Sequence, residues 1–236
     1  MPVVTISGQA GTGAREIGRA TAQRLQLDYV DQEILVEAAR ELGVPMESVV
    51  SHDERTAGLG ERLAGMLRRF LERSAAAGAS DPMLGTGGLD LVLSRTYQEA
   101  AEGEGLHEVS DEQYMSALTS IINDLAKHDN VLIIGRGSQM ILKDRQGAFH
   151  VLLVAPLEQR EAFIAQRDGL SPEDAAKRVH DGDKGRHSFH HKFFTHHVDD
   201  PTLYDLSVNT GRHAIDDAAE LIAAAVRQAS AAKAKA

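Results

Sequence analysis

Short runs of apolar and β-branched residues recur along the chain at 3–7, 28–31, 131–135, 149–154 and 204–209, and the longer stretches between them are patterned as amphipathic helix. Short β-rich runs separated by helical segments imply right-handed crossovers and a parallel sheet with both faces covered. The pattern therefore predicts an α/β three-layer fold: a parallel five-stranded sheet with helices on both faces. Ser171, Pro172, Glu173 and Asp174 form a strong helix start, with a hydroxyl cap, a first-turn proline and acids at the positive end.

One stretch breaks the alternation. Residues 51–115 contain nine glycines between Gly58 and Gly105, with helix-like pieces at 61–73 and 91–101. This segment is expected to be a helical, Gly-rich insertion in a core made of 1–50 and 116–228. Glycine-punctuated helices fit a moving, acceptor-binding element and a packed oligomerisation arm alike, so both readings stay open. The last residues, 229–236, read as a frayed Ala/Lys helix end.

Composition narrows the choice of partner. At 236 residues the chain is long enough for one α/β domain carrying an insertion. Its 25 Lys and Arg against 35 Asp and Glu give a net charge of −10, which disfavours nucleic acid because the polyanion is repelled at long range. Cysteine is absent from the sequence, which removes thiol chemistry and fits a reducing compartment. No apolar stretch is long enough for a signal or a membrane span, so a cytoplasmic protein without a membrane partner is expected.

The densest chemical signal lies at the amino end. A β-branched strand runs into Gly8, Gln9, Ala10, Gly11, Thr12, Gly13 and Ala14, and a helix then opens with Arg15 and Glu16. A strand aimed at a Gly-rich turn, followed by the positive end of a helix, surrounds an anion with N–H groups. Gly8 and Gly13 keep the spacing of G-x-x-x-x-G-K-[ST], the phosphate loop of nucleotide enzymes. Ala14 stands where that motif has lysine, and Arg15 where it has the metal-binding hydroxyl. A dinucleotide turn fits less well, since G-x-G-x-x-G needs glycine where Glu16 stands. Arg15 has a permanently charged fork able to take two phosphate oxygens, and it serves equally well as a surface partner for Glu16 or another acid.

Further cations stand at telling places. Arg136, flanked by Gly135 and Gly137, ends the third strand, where ligands of parallel sheets collect. A dense charged run follows Pro172, through Lys177 and Arg178 to Asp181, Asp183, Lys184 and Arg186; a solvated helix face is the plain alternative. Arg160 and Arg167 are supporting cations or exposed helix residues. Five histidines, His187, His190, His191, His196 and His197, crowd the same region. Without an H-E-x-x-H signature or cysteine they complete no zinc site, so metal ligands stay unassigned. Partly charged histidines there are expected to contact phosphate more strongly below about pH 6.5.

In order and spacing, several of these segments resemble the cytidylate kinase-like family, relatives of bacterial CMP kinase with the P-loop kinase fold. The segments are the glycine loop followed by Arg15, Glu16, Ile17 and Gly18; Tyr29, Val30 and Asp31 with Ile34 and Leu35; Gly135, Arg136 and Gly137; Asp183 to Arg186; and Tyr204 to Thr210. The resemblance implies transfer of the ATP γ-phosphoryl group, with Mg2+, to a nucleoside monophosphate of the CMP or dCMP kind.

It also distributes roles. Gly8, Gln9, Ala10, Gly11, Thr12, Gly13, Ala14, Arg15 and Arg178 are expected at the donor nucleotide. Asp31, Arg136 and Gly137 are expected at the acceptor, although Asp31 reads equally well as a cap for a helix beginning near Glu33. A lid over about 171–200 is expected to bring Arg186, Lys184 and Asp183 to the reacting phosphoryl alongside Arg15, with Asp183 orienting Arg186 from one turn earlier. In CMP kinases an aspartate precedes the glycine and arginine of the third strand; Ile134 replaces it here. That loss, with the missing lysine and hydroxyl, opens the alternative of a nucleotide-binding regulatory module with little turnover.

Overall fold

The computed structural model describes residues 2–31 and 111–233. Its strands are β1 (Val3–Gly8), β2 (Asp28–Val30), β3 (Val131–Ile134), β4 (Ala148–Val154) and β5 (Leu206–Asn209). Its α-helices are α1 (Ala14–Leu25), α2 (Asp111–Lys127), α3 (Ser138–Ile141), α4 (Leu157–Asp168), α5 (Pro172–Phe194) and α6 (Ile215–Lys233).

All strand pairs are parallel, in the order β2-β3-β1-β4-β5. β1 is central because its run of residues buried from Val3 to Ser7 needs neighbours on both edges and cover on both faces. Successive side chains of a strand alternate between faces. Val4 and Ile6 therefore join Leu132, Val151, Leu153 and Val208 in a core closed by Ile17 of α1 and by Ala218, Ala219, Ile222 and Val226 of α6. On the opposite face α3 lies against β1 and α2 packs on α3, with Tyr114, Leu118 and Ile122 fully enclosed. The five expected strands, their parallel sense and the helices on both faces are all present.

The expected insertion at 51–115 lies outside the described residues except for 111–115, which begin α2. At the other end, α6 continues as helix through Lys233, in keeping with its alanine-rich composition. The expected fifth strand from 204 is shorter, since Tyr204 and Asp205 precede β5 as its anchor. There the Asp205 carboxylate accepts from His150 N–H at 2.7 Å, while its own N–H donates to the His150 carbonyl at 2.8 Å.

Helix α5 is long and held in two places. Ser171 caps it, its hydroxyl accepting from Asp174 N–H at 3.1 Å. Ala175 and Val179 pack with Ile164 of α4, and Phe189 and His190 are enclosed further along. The segment expected as a lid is thus docked along α4 and behind the carboxyl ends of β1 and β3.

Candidate active site

The carboxyl ends of β1 and β3 open onto a cleft that merges with solvent. Gly8, Ala14, Arg15, Asp31, Arg136 and Arg186 line it, together with Ser7 and Gly135. Six residues expected at the site therefore meet here from four separate parts of the chain. Crevices outside the carboxyl ends of parallel strands collect ligands because the strands end there and the following helices start with open N–H groups.

At the mouth of the cleft α1 begins with no side-chain cap: Gly13 stands at the N-cap position with φ 74°. The helix thus leaves its first amides turned outward, as an anion site requires. Gln9, Ala10, Gly11 and Thr12 fasten the turn. Thr12 donates its hydroxyl to the Gln9 carbonyl at 2.8 Å, and the Gln9 side chain accepts from Ala155 N–H at 3.3 Å. Ala10 N–H donates to Asp183 at 2.9 Å. Gly11, at φ 85°, is pressed so close to α4 that a Cβ would come within 2.5 Å of the Arg160 carbonyl.

Arg136 is 2% exposed and sits in the left-handed region, φ 59°, between Gly135 at 69° and Gly137 at 65°. Left-handed backbone is unfavourable for an arginine, and such strain clusters where a side chain must be aimed. Its Nη1 donates to the Tyr114 hydroxyl at 3.0 Å. Gly137 is needed for packing as well as for its φ, since a Cβ there would meet the Phe194 ring at 2.5 Å.

Arg186 is 4% exposed. Its Nη1 donates to Asp199 at 2.7 Å and its Nη2 to the Ser7 hydroxyl at 3.2 Å, while its Nε has no hydrogen-bond partner among the described residues. A guanidinium that lines a cleft with its direction fixed by Asp199 and Ser7 is suited to an oxyanion. Burial pushes the Asp199 carboxyl up, but the Arg186 charge and the His187 bond outweigh it and hold the group below the usual carboxylate range. Tyr204 closes the back of this assembly, donating to the Val198 carbonyl at 2.6 Å and accepting from Gln139 at 3.3 Å. Burial pushes its phenol up.

Asp183 does not orient Arg186. Although three residues away on α5, it pairs with Arg160 at 2.6 Å, and the partner of Arg186 is Asp199. The expected donor-side Arg178 is 60% exposed and pairs with Asp168 at 3.0 Å. Arg167 binds the same carboxylate at 2.7 Å, and Lys184 lies on the exposed side of α5. Of the histidines, His187 contacts Asp199 at 2.8 Å. His190 departs from the expectation of charged histidines at phosphate: burial, reinforced by Arg186, lowers its pKa to about 3, so it stays neutral.

Asp31, 1% exposed, accepts from the Tyr29 hydroxyl at 3.0 Å. Burial and this carboxylate push the Tyr29 phenol well up. Asp31 is the one carboxylate lining the cleft among the described residues, where no cluster of three or more His, Cys, Asp or Glu suited to a metal is found. Such a donor set fits a Mg2+ ion carried by a nucleotide's phosphates, because that ion keeps several waters and takes one or two protein carboxylates.

Ser7, Tyr114, Asp199 and Tyr204 were not singled out as site residues from the sequence. Ser7 had a signal, as a hydroxyl ending an apolar strand beside the glycine loop. Asp199 had a weaker one, in the acidic pair with Asp200 directly after a cationic helix.

The profile of the cytidylate kinase-like family matches residues 3–212. A cytidylate kinase from Methanopyrus kandleri is 25% identical over 227 residues, covering 95% of this chain and 92% of that protein. One from Thermococcus kodakarensis is 27% identical over 103 residues, which are 44% of this chain and about half, 52%, of the relative. In three dimensions the chain is similar to an uncharacterized protein from Eubacterium ventriosum, with a TM-score of 0.57 at 14% identity over 96% of this chain and 99% of that one. Among the described residues no helix is long and apolar enough to cross a membrane.

Proposed function

The chain belongs to the cytidylate kinase-like family, and from that membership we propose that it moves the ATP γ-phosphoryl group to a nucleoside monophosphate of the CMP or dCMP kind. The observation that carries the reading is the convergence of Arg15, Arg136 and Arg186 with Asp31 on one cleft at the open start of α1. Phosphoryl transfer needs little covalent help; it needs two phosphate groups held in line, positive charge around the migrating group, and exclusion of water.

Each cation has a distinct task in this reading. The amides at the start of α1 hold the donor phosphates, and Arg15, one residue into the helix, supplies the positive charge that lysine supplies in the usual loop. Arg136, fixed by its strained turn, takes the acceptor phosphate. Arg186, its direction fixed by Asp199 and Ser7, supplies positive charge beside the group in transit. Mg2+ on the nucleotide would neutralise phosphate charge, and Asp31 would hold it through water. Ala14 and Arg15 remove the lysine and hydroxyl of the usual loop, so tight nucleotide binding with little turnover, as in a regulatory module, is the competing outcome.

The deciding experiment is a coupled assay of ADP formation with ATP, Mg2+ and a panel of CMP, dCMP, UMP, AMP and GMP, alongside calorimetry with ATP. Rapid ADP formation with a pyrimidine monophosphate supports the kinase. Binding of ATP without turnover on any acceptor replaces it by the regulatory module, and no nucleotide binding at all rejects both.

A further inference from the structure

We propose that Asp183 and Arg160 form a clamp that holds the phosphate loop in its ligand-ready shape, which makes Asp183 a positioning residue for the donor polyphosphate; the role rests on the kinase reading above. A closed ring of hydrogen bonds surrounds one residue of the loop, Ala10. Ala10 N–H donates to Asp183 Oδ1 at 2.9 Å, Asp183 Oδ2 accepts from Arg160 Nη1 at 2.6 Å, and the same Nη1 donates to the Ala10 carbonyl at 3.0 Å. Arg160 is itself tied to the start of α4, its Nε donating to the Ala155 carbonyl at 3.1 Å.

Steric contact reinforces the ring from both sides. A Cβ on Gly182 would lie 2.9 Å from that of Ala10, and one on Gly11 would run into the Arg160 backbone. Helix α5 and the start of α4 therefore grip the loop with no space to spare. Side-chain exposures of 8% for Arg160 and 18% for Asp183 keep water from competing for these bonds.

The chemistry explains why an ion pair stands here. A loop with glycines at 8, 11 and 13 is free to take many shapes, and a ligand that has to order it binds more weakly. A carboxylate alone would hold the Ala10 amide but repel a polyphosphate nearby; Arg160 cancels that charge and holds the carbonyl as well. Asp183 stays outside the cleft lining and acts on phosphate only through the loop it fixes.

The test compares the wild-type chain with Asp183→Asn and Asp183→Ala. Amide hydrogen exchange over residues 8–15 is measured without nucleotide, and ATP and acceptor KM are measured separately from kcat. The clamp predicts exchange faster by about tenfold over the loop in Asp183→Ala, with α6 unchanged, because the opening is local. It also predicts an ATP KM raised by about tenfold while the acceptor KM stays within about twofold. Asp183→Asn, which keeps the shape and an acceptor for Ala10 N–H, should fall between, so the test does not depend on the alanine variant folding. Unchanged loop exchange in a folded variant, or equal losses in both KM values, overturns the clamp. Failure of the kinase reading would show in the wild type itself, whereas the exchange comparison judges the clamp without any turnover.

Discussion

One oxygen of Asp199 accepts from Arg186 at 2.7 Å and the other lies 2.8 Å from His187 Nε2, so a carboxylate just beyond α5 fixes the direction of a buried cleft cation. Asp199→Asn keeps the shape and removes the charge, leaving the Arg186 guanidinium enclosed without its counter-ion. Stability should fall by about 3 kcal/mol, as for other broken buried pairs, read from urea denaturation. Turnover should fall by about a hundredfold through misplacement of Arg186. An Asp199→Asn protein as stable and as fast as the wild type would remove the pair from both roles.

Acid should unfold the protein through two identified groups. His190 has a pKa of about 3 in the folded chain against 6.5 in an exposed imidazole, so between those values the unfolded state binds the extra proton and stability falls as pH falls. Between pH 7 and 5.5 this amounts to about 1 kcal/mol, above the range where carboxylates titrate. The measurement is the urea midpoint across that interval, and His190→Asn should flatten it. Asp199 acts lower down: its depressed pKa contributes stability above the ordinary carboxylate value that is lost as pH falls through the folded-state value.

Arg15→Ala tests the replacement for the missing lysine. Removal of a comparable charge-stabilising group costs two to three powers of ten, so kcat should fall by about 100- to 1000-fold with the melting temperature held. Unchanged turnover would mean that Arg15 lines the cleft without acting on the phosphoryl group.

Gly137→Ala probes the strained turn that aims Arg136. The new methyl group meets a left-handed backbone, φ 65°, and the edge of the Phe194 ring. A loss of about 2 kcal/mol is expected, with a rise in acceptor KM larger than any change in ATP KM. Equal effects on both substrates would detach the turn from the acceptor side.

Much of this architecture could be read from local pattern. Apolar and β-branched runs marked β1, β3 and β4 most clearly because strands inside a parallel sheet are covered on both faces, and Gly8, Gly13 and the helix behind them marked the loop because that order leaves open amides at a strand end. Arg136 was legible for the same reason, as a cation between glycines at the end of such a strand. The Asp183 assignment failed on a local rule: three residues along a helix suggests a partner, but packing against α4 put Arg160 nearer.

Within the described residues, the sequence by itself determined the five strands, the glycine loop with the helix behind it, and which cations stand at strand ends, because backbone preference and burial periodicity act over a few residues. Only the tertiary structure decided the order β2-β3-β1-β4-β5, the pairing of Arg186 with Asp199 and the hold of Asp183 on Ala10, 173 residues away in the chain. Those depend on which helix faces pack together, and the enclosed charges then bond to whatever partners that packing leaves within reach.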